Sequence, residues 1–394
     1  DDEDESSIET DVNNGEADSE GEVEIEEVLE EIVDIEDEND VSGSNGNNDQ
    51  SSDRIVIQLG DTIKDPSDEI VWDPFNLIEN RSLMNGHMVI LGGSGSGKTQ
   101  TMRAIQFELS KFDIPFITFD FNDDFIDHDF LSNADVELFN VTQGLPINPL
   151  SLPIDPHTGN CEGHHMVNQV YLLKDIFKKI FSLGDQQASD LKNGIQNAYH
   201  DFGIRGTMRI IDENTPLPSF SDVHNHISAN QRLLNRIEAI FDLNLFNNTN
   251  TNMDRFLEGK NVLRFSQLPG EEIQKVTSEI MLVSIYNALI KMGPHRGLRL
   301  AIFIDEAHKI ANLEAVKKLF KEARKYGCAV FLSSQEARDF DDTIYANAGT
   351  RVILNLQDMN DARKAASMLG DAARRNELAD IIKNLLPWHG YIIN

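Results

Sequence analysis

The segment Leu91–Thr101 reads LGGSGSGKTQT, and its glycines, lysine and threonine have the spacing of a phosphate-binding loop. Glycines allow consecutive backbone N–H groups to turn toward a β-phosphate. The lysine supplies a positive charge to the β- and γ-phosphates, and the threonine hydroxyl is a Mg²⁺ ligand. An apolar strand pattern before the loop and a helical pattern after it support this interpretation. The predicted ATP- and Mg²⁺-binding residues are Gly92, Gly93, Ser94, Gly95, Ser96, Gly97, Lys98, Thr99 and Gln100.

Two adjacent acids end another apolar segment, LAIFIDE (Leu300–Glu306). Asp305 stands at the carboxyl end of this predicted strand, where it would hold Mg²⁺ through water. Glu306 is placed to orient and polarise the attacking water, which is the work of a general base. With the phosphate loop, this pair predicts an ATPase whose metal-binding residues are Thr99 and Asp305.

Polar residues also end two other predicted strands. The amide of Gln335, after FLSS, is suited to contact both the γ-phosphate and the attacking water, and so to sense the terminal phosphate. The alternative is a polar cap on a buried strand. In FDFNDDF, which contains Asp120 and Asp124, we interpret Asp124 as a second carboxylate near the water or the Mg²⁺, with a structural role as the alternative.

Hydrolysis between subunits of a ring ATPase usually requires a cation from the neighbouring subunit. The candidates are Arg324 and Lys325 in EARKYG, and Arg351 in AGTRVILN. For each of them, an ordinary exposed surface charge is the alternative.

The elements that position these residues alternate between apolar strands and helices. Strands that are apolar throughout and separated by helices are typical of a parallel sheet covered on both faces. Such sheets bind ligands at the carboxyl ends of their strands, where the loop and the acids fall. A small sheet from RIVIQLG and EIVWDPF precedes the predicted strands His87–Leu91, Pro115–Phe121, Asn261–Phe265, Leu298–Glu306, Cys328–Gln335, Thr350–Leu356 and Gly390–Asn394.

Between Gln143 and Asn250 the spacing of apolar residues is mainly helical. MVNQVYLLKDIFKKIF and DLKNGIQNAYHDF predict a helical hairpin, and LLNRIEAIFDLNLF predicts a third helix. The predicted fold class is therefore α/β, with one ATPase domain over residues 54–394 and a helical insertion subdomain at 143–250.

Charge is concentrated at the start of the chain. The chain of 394 residues has a formal net charge of −33, and residues 1–53 contain 23 Asp and Glu but no Lys or Arg, so the remainder carries −33 + 23 = −10. Residues 1–53 are predicted to be a disordered acidic tail, either a solvated linker or a carrier of a short partner-docking helix around Ile25–Ile32. Because the chain opens in acids without an initiator methionine, we expect it to be part of a longer protein.

The chain has two cysteines, which form no paired motif, and no apolar run approaches the ~20 residues needed to span a membrane. These features predict a cytoplasmic protein without membrane contact.

The order of these motifs resembles the HerA/FtsK superfamily of ring-forming, DNA-pumping ATPases. The resemblance implies a RecA-like P-loop core and a homo-hexamer that threads duplex DNA with ATP bound between subunits. It also implies phosphate and Mg²⁺ binding by Lys98 and Thr99, metal and water acids at Asp305 and Glu306, and a sensor at Gln335. The matching segments, from about Glu69 to the end, are GGSGSGKT, FITFDFNDDF, INPL, IDEAHK, EARKYG, SSQ and ANAGTRVILNL.

Finer features resemble the DptH-type ATPases of DNA phosphorothioation-dependent restriction. They are VWDPF, GSGKTQ with its Gln100, DFNDDF and SLGDQQASDLKNGIQNAY. This likeness implies a motor within a prokaryotic antiviral defence system, with other restriction subunits, such as a nuclease, as partners. The helical insertion and the acidic tail depart from the simpler DNA-pumping members.

Two functions of other classes fit the same loop. The first is an ATP-dependent switch or scaffold that assembles partner proteins without translocating DNA, and it predicts turnover indifferent to DNA. The second is a small-molecule kinase, which is disfavoured because Glu306 beside the metal acid would direct ATP to water.

Overall fold

The predicted alternation of strands and helices produces a mostly parallel sheet, in a computed structural model of the chain. The acidic tail and its candidate helix lie outside the described residues. The structure describes residues 55–63, 67, 69–74, 83, 85–153, 155, 158–212, 214–246, 253–370 and 373–393.

Eight strands form the central sheet within this part of the chain, in the order β12-β11-β3-β10-β9-β4-β8-β5 as defined below. Neighbouring strands pair in parallel except β11 and β12, which are antiparallel. Two antiparallel two-stranded sheets, β1-β2 and β6-β7, accompany it. The strands are β1 (Ile57–Asp61), β2 (Glu69–Trp72), β3 (Met88–Leu91), β4 (Phe116–Asp120), β5 (Glu137–Asn140), β6 (Asn160–Cys161), β7 (Ile211–Asp212), β8 (Lys260–Arg264), β9 (Leu300–Ile304), β10 (Cys328–Ser334), β11 (Thr350–Ile353) and β12 (Tyr391–Ile393).

The predicted α/β fold with a mostly parallel sheet is confirmed. Both edges of the sheet differ in detail from the sequence prediction. The edge strand β5 was not predicted, because its four residues are only partly buried and show no apolar run. The opposite edge strand, β12, was predicted as a strand, and it runs against its neighbour β11.

Helices cover both faces of the sheet. Along β3, Val89 and Leu91 join one hydrophobic core, whereas Met88 and Ile90 join the other, because successive strand residues point to opposite faces. The helices are α1 (Lys98–Lys111), α2 (His128–Asn133), α3 (Gly163–Ile180), α4 (Asp185–Asp201), α5 (Phe220–Ile227), α6 (Gln231–Asp242), α7 (Met253–Leu257), α8 (Gly270–Met292), α9 (Glu314–Glu322), α10 (Asp342–Asn347), α11 (Met359–Ala366) and α12 (Arg375–Lys383).

Helices α3 to α6 lie within the predicted insertion. The hairpin corresponds to α3 and α4 and the third predicted helix to α6, while α5 was not predicted. Their buried side chains, such as Leu173 and Ile195, belong to the same hydrophobic core as one face of the sheet. That residues 143–250 form a separate subdomain stays a prediction. Among the described helices, none combines the length and apolar character needed to cross a membrane.

Glu279 is a buried carboxyl group on α8 whose ionisation opposes folding. Its Oε1 accepts a hydrogen bond from the backbone N–H of Ala315 at 3.2 Å, and its Oε2 has no partner among the described residues. Burial raises the pKa of Glu279 from 4.5 to about 7. The N–H groups of Ala315 and Glu314 and the charge of Lys179 oppose this shift, and the charge of Glu314 adds to it. The folded state holds the proton of Glu279 more tightly than the unfolded state does. The contribution of this proton to the stability of the fold is therefore complete below pH 4.5 and is lost as the pH rises through about 7.

The change Glu279→Gln should therefore increase the free energy of unfolding at pH 8 by about 2 kcal/mol and change it little at pH 5. Denaturant unfolding at the two pH values measures this difference. The control is Glu272→Gln, an exposed position on the same helix, which should give the same small effect at both values. A benefit of Glu279→Gln that did not grow with pH would contradict the account.

Candidate nucleotide-binding site

The phosphate loop connects β3 to α1 at the carboxyl edge of the sheet. Gly95 and Gly97 have φ angles of 73° and 109°, in the left-handed region that glycine adopts without strain. The N–H of Gly92 donates to the carbonyl O of Ser334 at 3.1 Å, so the loop is tied to β10. The helix α1 begins at Lys98 without a side-chain cap, so its first N–H groups face the position of an anion.

Other loop residues have the exposure expected around a ligand. Ser94 and Gln100 are exposed, and Ser96 is buried. The hydroxyl of Ser96 has no hydrogen-bond partner among the described residues. A buried hydroxyl without a partner in a loop of this shape is suited to donate a hydrogen bond to a phosphate oxygen.

Lys98 is a buried cation that faces three carboxylates. Its Nζ donates to the carbonyl O of Gly93 at 3.2 Å, so the side chain folds back over the loop. Burial lowers the pKa of Lys98, and the negative charges of Glu306, Asp305 and Asp124 oppose that shift. The structure thus brings the loop lysine to the predicted acids.

Asp305, directly after β9, is held in place by three donors. Its Oδ2 accepts from the Thr99 hydroxyl at 2.8 Å, and its Oδ1 accepts from the backbone N–H of Glu306 at 3.0 Å. The hydroxyl of Ser333, on the neighbouring strand β10, also donates to Oδ1. The predicted metal pair, Thr99 and Asp305, is therefore in direct contact, and Ser333 is a contact that the sequence did not indicate.

Glu306 stands at a sharp turn, with a φ of 49° that non-glycine residues seldom adopt. Its Oε1 accepts a hydrogen bond from Nε2 of Gln335 at 2.8 Å, and its Oε2 lies 3.2 Å from Nδ1 of His308. The structure thus brings Gln335 and Glu306 together. Backbone strain of this kind persists at functional sites because surrounding contacts enforce it.

The two acids of FDFNDDF have different environments. Asp120 is buried and accepts from the backbone N–H groups of Asn122, Asp124 and Phe125, so it shapes the turn after β4. Burial raises the pKa of Asp124, and the charges of Asp305, Asp120 and Glu306 raise it further. Asp124 therefore belongs to the acidic cluster around Lys98, whereas Asp120 has a structural role.

The two arginine candidates lie away from the loop of their own chain. Arg324 is exposed in the 3-10 turn Ala323–Tyr326, just before β10. Burial lowers the pKa of His87, which precedes β3, and the charge of Arg324 lowers it further. Arg324 therefore lies at the amino-terminal ends of the parallel strands, whereas the phosphate loop lies at their carboxyl ends.

Arg351, on β11, is engaged within the chain. Its Nη2 donates to the carbonyl O of Tyr345 at 2.8 Å, and its Nε is buried without a partner among the described residues. In this conformation the guanidinium group stabilises the end of α10.

Sequence comparison shows the family of the chain. A family model described as the central domain of the helicase HerA matches residues 75–282, more than half of the chain. The chain belongs to the HerA central-domain family. A second model, for the DNA-binding domain of type IV secretion-system coupling proteins, matches residues 267–380. Together these matches place this HerA-family chain among the HerA/FtsK-type P-loop ATPases.

A curated relative belongs to the same family, and two solved structures have a similar fold. The DNA double-strand break repair helicase HerA of Sulfurisphaera tokodaii is 22% identical over 295 residues, which are 70% of this chain and 56% of that protein. The HerA-family chain thus spans little more than half the length of this relative. VirB4 of Thermoanaerobacter pseudethanolicus has a similar fold, with a TM-score of 0.62, 17% identity and coverage of 86% of this chain and 93% of that one. The bacterial conjugative coupling protein TrwB has a TM-score of 0.51, 15% identity and coverage of 78% and 82%.

Proposed function

We propose that this HerA-family chain hydrolyses ATP to drive movement along DNA. The observation that carries the proposal is the convergence of a phosphate loop, a bonded Thr99–Asp305 pair and a Glu306–Gln335 pair at one edge of the sheet. A loop that only bound nucleotide would need no carboxylate poised to activate water.

In this proposal each part of the site has one task. The loop from Gly92 to Gly97 and the first turn of α1, which includes Gln100, hold the phosphates, and Lys98 neutralises the β- and γ-phosphates. Glu306 is the general base. Gln335 moves from Glu306 to the γ-phosphate and the attacking water when ATP is bound.

The acidic cluster also fits Mg²⁺. The carboxylates of Asp124, Asp305 and Glu306 face Lys98, and Arg103 also offsets part of the charge of Asp124. Three negative charges still lie close together, so a divalent cation would relieve their repulsion. Mg²⁺ keeps several waters and takes one or two protein oxygens besides phosphate, which Thr99 and Asp305 would supply. The coupling protein TrwB has been solved with ADP and Mg²⁺. When bound, the ion would stabilise charge that develops on the phosphates.

DNA is the proposed partner because the matched families act on it. The relatives are named as DNA double-strand break repair helicases, and the second family model describes a DNA-binding domain. We further propose a homo-hexamer around duplex DNA, in which Arg324 of one subunit faces the phosphates of the next. A place in phosphorothioation-dependent restriction, with a nuclease partner, rests on the DptH-like motifs alone.

The alternative is a nucleotide-dependent switch that assembles proteins. The net charge of −10 from residue 54 onward favours it, because DNA affinity usually comes from basic surfaces. A ring can confine its positive charge to the channel, so the distribution of charge decides rather than the total.

Displacement of a third strand from a DNA triplex separates the two functions. A motor that tracks along duplex DNA should release the third strand in an ATP-dependent manner, and the Glu306→Gln variant should not release it. A switch would hydrolyse ATP without releasing the strand. Hydrolysis without displacement by an assembled oligomer would contradict the motor.

A further inference from the structure

An exposed tryptophan lies directly against the phosphate loop. A Cβ atom built on Gly97 would lie 3.2 Å from Cε3 and 3.3 Å from Cζ3 of Trp388, so the edge of the indole ring packs on the loop backbone. The side chain nevertheless remains 71% exposed. An indole has a large apolar face and a polar N–H, so an exposed one beside a ligand site is available as a contact surface for the ligand.

The backbone presents Trp388 in a strained conformation. Its φ of 70° is in the left-handed region, which bulky residues rarely adopt. Gly390, two residues later, packs so closely on β11 that a Cβ there would lie 2.9 Å from the carbonyl O of Ile353. The chain must therefore turn sharply between α12 and β12, and Trp388 takes part in that turn. Strain of this kind is concentrated at ligand clamps.

Asn355 ties the Trp388 segment to the phosphate loop. Its Nδ2 donates to the carbonyl O atoms of Lys383 at 2.8 Å and Leu385 at 3.1 Å. The backbone carbonyl O of Asn355 accepts a hydrogen bond from the backbone N–H of Gly93 at 2.6 Å. One residue therefore fixes the spacing between the phosphate loop and the segment that carries the indole.

We propose that Trp388 is the stacking platform for the purine base of the bound nucleoside triphosphate. This inference rests on the proposed nucleotide site, because the α-phosphate and the ribose connect the base to phosphates held by the loop. A groove of about 530 Å³ adjoins the segment, with Leu386 and His389 from either side of Trp388 in its wall. Ile381, Leu385 and Leu386 give this groove an apolar surface that suits a flat heterocycle, and Glu377, Asp380, Asn384 and His389 are its polar groups. Trp388 lies beside this groove rather than in its wall.

Stacking reads little of the identity of the base, because every base offers a π-face. Stacking therefore distinguishes the two purines only weakly, and GTP should bind within about tenfold of ATP.

Calorimetric titration with Mg-ATP and with Mg-tripolyphosphate, which has no base, tests the proposal. Trp388→Ala should weaken ATP binding about 5- to 100-fold and leave tripolyphosphate binding unchanged within about twofold. Trp388→Phe should restore most of the loss, because it keeps an aromatic face. The control is Tyr171→Ala, which removes another exposed aromatic ring, on α3, and should alter neither titration.

Tryptophan fluorescence gives a second measurement. The chain has two tryptophans, and Trp72 is fully buried, so ATP should quench the emission of Trp388 and tripolyphosphate should not. Equal weakening of both ligands by Trp388→Ala, or no weakening of ATP, would overturn the platform and leave the nucleotide site standing. A wild-type chain that bound neither ligand would overturn the platform together with the proposed function.

Discussion

Replacing Lys98 with alanine should reduce ATP turnover by about 100-fold or more and weaken nucleotide binding. The physical reason is that Lys98 is the cation faced by Asp124, Asp305 and Glu306. Without it, the phosphates of ATP would meet three carboxylates with much less positive charge to offset the repulsion. Steady-state turnover and calorimetric binding of Mg-ATP measure the two effects.

Lys111→Ala is the matched control, because Lys111 ends the same helix, is exposed and pairs with Glu108. This variant should retain wild-type turnover, since surface pairs of this kind contribute little. Thermal unfolding of both variants separates a lost site from a lost fold. Near-normal turnover in a folded Lys98→Ala variant would show that hydrolysis does not use this loop.

Glu306→Gln should lower turnover by about 100- to 10,000-fold while ATP still binds within a few-fold of wild type. The amide keeps the shape of the side chain and can still pair with Gln335, but it cannot take a proton from water. The loop, Lys98 and the Thr99–Asp305 pair are unchanged by this substitution. The variant should therefore keep ATP binding, which calorimetry measures, and lose the hydrolysis step, which single-turnover hydrolysis measures.

The control for this change is Glu336→Gln, a partly exposed glutamate directly after Gln335 that pairs with Arg338. It should leave turnover within about twofold, because its carboxylate already has a partner at the surface. Equal losses in the two variants would mean that Glu306 acts through local charge rather than as a base.

Most of the site can be predicted from the sequence because its functional side chains lie at the carboxyl ends of apolar strands. The loop lies between an apolar strand and an amphipathic helix, and Asp305 and Glu306 directly follow another apolar strand. Since parallel strands end at the same edge, these groups had to lie close together. The same argument placed Gln335 there, and the structure shows it bonded to Glu306.

What the sequence could not predict depends on tertiary contacts. Trp388 lies almost 300 positions from the loop in an unremarkable Leu-Pro-Trp-His segment, and no spacing rule connects it to Gly97. The direction of β12 depends on where the chain leaves α12, which apolar patterns do not encode. The distinction between Asp120 and Asp124 similarly required the backbone hydrogen bonds of the turn.

The measurement that tests the central claim most directly is ATP turnover with and without long duplex DNA at ~50 mM salt, where phosphate contacts are strong. It should be made on a sample of determined oligomeric state, beside the Glu306→Gln variant. The account predicts that DNA stimulates wild-type turnover and that the stimulation is lost in the variant. Turnover indifferent to DNA in an assembled hexamer would contradict the DNA motor and favour the nucleotide-dependent switch.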